Sequence, residues 1–376
     1  MLIILLGILL VIFFLFALKH KIRLSLGMIL FIGLVLRAIF IIVSFNFTNF
    51  DLESYRIIGE LTLDKTNIYP APAMIRYPYL PLMLYVEALS RFFGDYSSIF
   101  LKSIFSLFDL GVGYLIFKAT KNKHLTLLYV INPVSIFTAS VHGQFDAIPL
   151  FYLLASAILI SKDRVRSLLA GLSLSLAITV KTWPLLFILA FVKKTRSFFF
   201  LLPIFLIPLL VILIYSLLYR SSPYEIFRVL KNYQPVYGVY GLSLLTKQVF
   251  RLESIADVAR LIRIFLILFI GFNLFLKIKN IFKQIYYLMI FILTFTPVFG
   301  QQWLSWVIPF FLLAKEKDYG IYSAVVGIYM LTNFALWQGL VKEPFPIIMG
   351  VIVWVTIFFI FLKRIPSLLD QKLRHL

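Results

Sequence analysis

Apolar residues recur in unbroken runs, not in the alternation of a half-buried strand or the one-faced stripe of a soluble helix. Leu2–Leu18, Leu24–Val43, Phe198–Leu218 and Phe345–Leu362 each approach the roughly 20 helical residues that cross a hydrocarbon layer of about 30 Å. A helix that is apolar on every side needs lipid or other helices as its solvent. The pattern therefore predicts an all-α polytopic membrane protein of about eleven to thirteen transmembrane helices. Residues 1–376 form one transmembrane domain on this reading.

The polar breaks between the runs carry orientation. Basic clusters fall at Lys19–Arg23, Lys118–Lys123, Lys162–Arg166, Lys193–Arg196, Lys277–Lys283, Lys315–Lys317 and from Lys363 onward. All of them face the cytoplasm in one threading, provided that Tyr79–Phe93 is juxtamembrane and not a crossing. The first helix, followed rather than preceded by its positive charges, reads as a retained anchor with the N-terminus outside. Two long extracytoplasmic loops result, 45–79 and 220–257, and long loops in a protein of short connections are usually functional. Residues 364–376 read as a cytoplasmic amphipathic tail, with Ile365, Leu368, Leu369, Leu373 and Leu376 at helical spacing.

Segments Ser167–Val180 and Leu185–Val192 are too short to span, since 14 residues rise only about 21 Å. Their junction should be recessed, with Lys181 on the wall of a water-filled cavity.

Composition narrows the function classes. The chain is 62% hydrophobic and 14% charged, with 36 Lys and Arg against 16 Asp and Glu. Such an excess of base could signal nucleic acid, but here it sits in short clusters beside apolar runs and reads as topology, so no nucleic acid is expected as partner. Zero cysteines exclude a disulfide, a thiolate metal site and a thiol nucleophile. Gly111-Val-Gly113 lies inside an apolar run with no strand before it, so it is expected to ease helix packing and not to cradle a nucleotide.

The candidate chemistry gathers in the outer loops. Asp51 and Glu53 follow the second helix closely; a carboxylate there could act as a general base, hold a divalent cation such as Mg or Mn, or simply sit at a helix N-terminus. His142-Gly-Gln144-Phe-Asp146 separates two apolar helices. Asp146 could cap the second of them, with Pro149 in its first turn, and if the segment is helical His142 and Asp146 share a face. Lys181, ahead of Trp183-Pro184, suits a phosphate near the headgroups or snorkelling to the interface. Arg37 and Asp109 lie within apolar runs and are expected to pair with each other.

These motifs resemble the GT-C superfamily of membrane glycosyltransferases, and most of all the branch that contains the first mannosyltransferase of GPI-anchor synthesis and its bacterial and archaeal relatives. Thr48-Asn-Phe-Asp51 followed by Tyr55 looks like that family's aspartate-bearing first loop. Ile68-Tyr-Pro and Arg76-Tyr-Pro-Tyr-Leu-Pro81 look like its aromatic-proline segment. Asn132-Pro133, His142–Asp146 and Val180-Lys181-Thr-Trp183-Pro184 follow in the family's order. Two departures stand out: Asn49 occupies one position of the paired aspartates, and Gln301-Gln302-Trp303-Leu-Ser-Trp306 matches the Ser-Pro-Gln-Tyr-Leu-Leu-Trp pattern only loosely.

The resemblance implies a GT-C-like bundle and an inverting hexosyltransferase, mannosyltransferase-like. It would move mannose or glucose from a polyprenyl-phosphate sugar donor to a glycan or lipid acceptor, at the outer face of a prokaryotic plasma membrane. Asp51 would be the catalytic base. Glu53, Tyr55, Arg76, His142, Gln144, Asp146, Lys181, Trp183 and Gln302 would bind substrate, with Tyr233–Tyr240 as a lid. Membrane lipids are the remaining partners, and no cofactor is required unless a cation serves. The rival from another class is a transporter or lipid-linked-sugar flippase, which would place polar groups near the midplane in two repeats; here they crowd one side and no repeat is seen.

Overall fold

A computed structural model describes the chain except residues 71–72, 234–235, 253 and 374–376; the side chains at 74 and 367–373 also lie outside the described set. The described residues form helices joined by turns, with no strand among them. Among the described residues seven helices are long and apolar enough to cross a membrane: Leu2–Lys19, Leu26–Val43, Met83–Thr120, Phe198–Tyr219, Ile255–Phe275, Tyr319–Trp337 and Phe345–Pro366. An eighth appears if Lys123–Val130 and Pro133–His142, bent by 45°, count as one. The expectation of eleven to thirteen counted every apolar run. Much of the remaining apolar sequence lies in shorter helices such as Ala147–Leu159 and Ile281–Phe295, which end where Asp146, Thr296 or another polar group interrupts the run.

The chain divides into two compact units, one of Met1–Arg23, Ile131–Val134 and Pro235–Leu376, the other of Leu24–Val130 and Ser135–Gln234. In the first, Leu2–Lys19 packs on Tyr319–Trp337, where a Cβ on Gly320 would stand 2.2 Å from Leu18. Asn132 donates to Tyr319 Oη and Ser323 Oγ, both at 2.9 Å, and its own carbonyl accepts from Val134 N, so every polar atom of this buried amide is used. Arg364 reaches Glu316 at 2.7 Å and Asp318 at 2.6 Å, which puts the clusters at Lys315 and Lys363 on one side, as the charge alternation expects. The helix Phe345–Leu373 runs through Pro366; the apolar positions expected of the tail from Leu368 onward fall outside the described side chains.

The second unit carries most of the polar interior. Arg37 points inward from Leu26–Val43 and meets Asp109 on Ser97–Thr120 with Nε at 3.1 Å and Nη2 at 2.5 Å. The rest of the guanidinium donates to Gly33 O and Val130 O, while Tyr129 Oη donates to the other Asp109 oxygen at 2.6 Å. The expected pair thus forms with every strong acceptor and donor satisfied, as burial in hydrocarbon demands. Gly113 lets Val130 approach to 2.8 Å of where a Cβ would be, and Gly111 does the same for Phe151 at 2.9 Å, the packing role expected of this glycine pair.

Two further features set up the end of this unit that holds the candidate site. The long apolar helix breaks at Gly94 (φ 55°, ψ −125°), leaving Met83–Ser90 as an eight-residue piece that rises only about 12 Å. It lies against the loop helix Phe50–Leu63, close enough that a Cβ on Gly59 would be 2.6 Å from Glu87 O. The helix Arg164–Val180 stops at Lys181, whose backbone is extended (φ −152°, ψ 134°), before the short 3-10 turn Trp183–Phe187 and the helix Ile188–Thr195. A break between the two short apolar segments is present at Lys181, as expected.

Asp109→Asn leaves a buried guanidinium without its charge partner and should cost about 3–5 kcal/mol. The double variant Arg37→Met with Asp109→Leu should regain most of that. Thermal unfolding of the purified variants in one detergent checks both; equal losses in the single and double variants would contradict the pairing account.

Candidate functional site

The site begins with a helix cap. Asn49 Oδ1 accepts from Leu52 N at 2.9 Å and so starts Phe50–Leu63, the role expected of an N-cap amide. Its Nδ2 donates to His142 O at 2.9 Å, tying this helix to the turn between the apolar helices. Asp51 and Tyr55, four residues apart, share one face and meet the same side chain: Gln144 Nε2 donates to Asp51 Oδ2 at 2.5 Å, and Tyr55 Oη donates to Gln144 Oε1 at 3.4 Å. Asp51 Oδ1 takes no hydrogen bond among the described residues, and the side chain is partly exposed.

The turn that presents Gln144 depends on Gly143. Residues Phe137–His142 form a wide π-type turn that closes with Gln144 N donating to Thr138 O at 3.0 Å, and Gly143 takes φ 75°. A Cβ there would stand 2.7 Å from Leu52 Cδ2, so both the backbone sign and the packing select glycine. This corrects two expectations. His142 and Asp146 do not lie on one helical face, because the helix ends between them. Asp146 stands at the start of Ala147–Leu159 but its side chain makes no cap bond.

Asp146 instead holds Lys181. The Lys181 Nζ sits 2.7 Å from Asp146 Oδ2, both side chains are buried, and the ammonium lies 4.6 Å from the Phe145 ring centroid and 5.3 Å from that of Tyr79. The rings offer their negative faces to the cation while excluding water. Burial raises the Tyr55 and Tyr79 phenols well above the ordinary range; Asp51 adds for Tyr55, and Tyr233, Asp51 and Asp146 add for Tyr79. Both stay neutral, and each hydroxyl keeps its proton.

Within this unit not every expected residue joins the cluster. Glu53 lies on the opposite face of the helix, where Arg56 bridges it at 2.6 Å and Glu60 at 2.8 Å in partly exposed positions; the bond from Arg56 holds the Glu53 carboxyl below its usual range. Arg76 donates to Ser54 Oγ at 3.3 Å and covers the Phe50 ring at 5.1 Å. Trp183 is buried on its 3-10 turn, edge-on to Phe187. Gln302 belongs to the other unit, on the 3-10 turn Gln301–Ser305, where its carbonyl accepts from Ser305 Oγ at 2.7 Å. Of the expected lid, Tyr233 is described, 234–235 are outside the described residues, and Val236 onward is in the other unit.

Two buried ionisable groups near the cluster were not singled out from sequence. Lys102 and Glu87 are both fully buried, on the kinked helix Met83–Thr120. The available signal was the one that flagged Arg37 and Asp109, an ionisable residue inside an apolar run. Among the described residues no three His, Asp or Glu side chains gather as a cation site. Asp51 and Asp146 are engaged by Gln144 and Lys181, so the present donor set does not fit a resident metal.

Asn49→Ala should lose the cap, about 1 kcal/mol, and exchange the Leu52 amide roughly fivefold faster. Asn49→Asp keeps an accepting oxygen and should protect that amide nearly as well as the native residue. Hydrogen exchange read at Leu52 checks this, and identical exchange in all three proteins would remove Asn49 from its place as the cap.

Residues 106–279 match the model of glycosyltransferase family 87; no curated protein and no solved structure matches the chain. The matched stretch takes in Asp109, His142, Gln144, Asp146, Lys181 and Trp183, and leaves out Asp51, Tyr55 and Lys102. Together with the apolar spanning helices, the match supports a glycosyltransferase embedded in the membrane.

Proposed function

We propose that the protein is an inverting, GT-C-like hexosyltransferase that takes mannose or glucose from a polyprenyl-phosphate donor and passes it to a glycan or lipid acceptor at the extracytoplasmic face. The observation that carries this reading is the Asp51 carboxylate. One of its oxygens is held by Gln144 and the other takes no hydrogen bond from the described residues. A carboxylate fixed at one oxygen and open at the other can accept the proton of an acceptor hydroxyl as that hydroxyl attacks the anomeric carbon. The C–O bond to the new glycan forms as the bond to the phosphate oxygen breaks, the phosphate leaves with the electron pair, and configuration inverts.

The apolar character of the chain agrees with a lipid-borne donor. The matched family supports sugar transfer, and the described chain is helical and mostly apolar, so a donor dissolved in the bilayer suits it. Tyr55 and Tyr79, kept neutral, can donate hydrogen bonds to sugar or phosphate oxygens. Lys181 and Asp146 hold the turn that presents Gln144, and His142 stands on the same turn.

Asp51→Asn preserves shape but removes the proton acceptor, so turnover with a polyprenyl-phosphate hexose should fall about 10²- to 10⁴-fold, with donor binding changed far less. Glu53→Gln, on the other face of the helix, should be much milder. Near-normal turnover in Asp51→Asn would refute the assignment of the base.

The face is tested separately. The native chain has no cysteine, so single cysteines at the exposed positions Thr66 and Lys231 should react with an impermeant maleimide in intact cells, and one at Lys123 only after permeabilisation. The reverse pattern would place the site in the cytoplasm.

A further inference from the structure

In the unit that holds the candidate site, two buried cations are matched, Arg37 by Asp109 and Lys181 by Asp146. Lys102 is not. Its Nζ donates to Ser44 O at 3.0 Å and Ser44 Oγ at 3.1 Å, and no carboxylate among the described residues lies within ion-pair distance. An ammonium has three donors, so one remains after Ser44; the Phe47 ring, 5.9 Å away, adds only a weak quadrupole attraction. The acceptor is itself fixed, since Ser44 Oγ lies 3.3 Å from Ser140 O and Ser140 Oγ is bonded to Ser106 Oγ at 2.8 Å.

The position of this charge matters. Lys102 Cε lies 3.4 Å from where a Cβ on Gly143 would stand, so with no side chain at Gly143 the lysine stem rests directly against the turn that bears His142 and Gln144. Counting formal charges, Asp51 and Asp146 against Lys181 and Lys102 sum to zero; without Lys102 the same set is left at −1. Lys181 alone cannot offset that, because its charge is already matched at 2.7 Å. In an interior of low dielectric the Lys102 charge is felt across the turn, and the cost of burying it unpaired falls when an anion arrives.

We propose that Lys102, and not Lys181, is the cation against which this site takes up an anion, a phosphate-bearing ligand. The inference rests on the transferase reading above, in which that ligand is polyprenyl phosphate. Lys102 is then a positioning residue that sets the charge of the site, and Lys181 is the brace that holds Asp146 and its turn.

The test uses the full-length purified protein in detergent and three probes: a polyprenyl monophosphate, the uncharged polyprenol, and inorganic phosphate. Lys102→Met should weaken monophosphate binding at least about tenfold, leave polyprenol binding unchanged, and leave the melting temperature equal or higher, because an unpaired buried charge has been removed. Lys102→Gln, which can still donate to Ser44 without the charge, carries the same binding expectation and decides the matter if the Met variant does not fold. Lys181→Met should instead lower the melting temperature by stranding Asp146. Monophosphate binding equal to the native protein's in the Lys102 variants would overturn the proposal, and so would an equal loss of polyprenol binding, which would mark a packing role.

If the native protein bound no polyprenyl monophosphate, the donor reading would fall. Inorganic phosphate then decides the inference alone: stabilisation of the native protein but not of the Lys102 variants supports an anion site for free phosphate, and stabilisation of neither overturns it.

Discussion

Lipid cannot hydrogen-bond, and this constraint organises the protein. Each backbone group and each charge removed from water must find its partner inside the chain. Arg37 shows the full solution, with Asp109, two backbone carbonyls and Tyr129 on the second carboxylate oxygen closing every strong valence. Asn132 shows it for a neutral amide. Against that background several groups are not fully satisfied among the described residues, and three of them are the second Asp51 oxygen, the third Lys102 proton and the Glu87 carboxyl, neither of whose oxygens has a partner there. All three lie in one unit, the one that holds the candidate site.

The same constraint explains why the site is built from breaks in helices. A helix interior has no spare polar groups to offer a sugar or a phosphate. The wide turn at Phe137–His142, the left-handed Gly143 and the extended Lys181 each free backbone and side chains from the helical pattern. They occur where three segments meet: the capped start of Phe50–Leu63, the turn before Ala147–Leu159 and the end of Arg164–Val180. The Asn49–His142, Asp51–Gln144 and Asp146–Lys181 contacts bind the three together. Chemistry and rigidity therefore come from the same few side chains.

Much of this was legible in the sequence. Apolar runs gave the helical membrane class directly, the charges inside apolar runs gave the Arg37–Asp109 pair, and the short segments around Lys181 gave the helix break there. Motif order brought Asp51, Tyr55, Gln144, Asp146 and Lys181 into one set before any contact was known. What the sequence hid depends on backbone detail or on distance along the chain. Asp146 looked like a cap because it precedes a helix, but a cap needs a local geometry that the Gly143 turn does not supply, and the carboxylate pairs 35 residues on. Glu53 was expected beside Asp51 in the site because a single residue separates them, yet on a helix that spacing turns them to opposite faces. Lys102 was obscured by the length of the apolar stretch around it.

The account turns on sugar transfer by direct displacement from a lipid phosphate. The most direct measurement is the anomeric configuration of the product formed by purified protein from a polyprenyl-phosphate hexose labelled with ¹³C at the anomeric carbon, read by NMR together with release of polyprenyl phosphate. The account predicts one polyprenyl phosphate released per glycosidic bond formed, with the configuration opposite to that of the donor. A product that retained the donor's configuration, or donor moved across the membrane with its sugar intact and no bond formed, would contradict it.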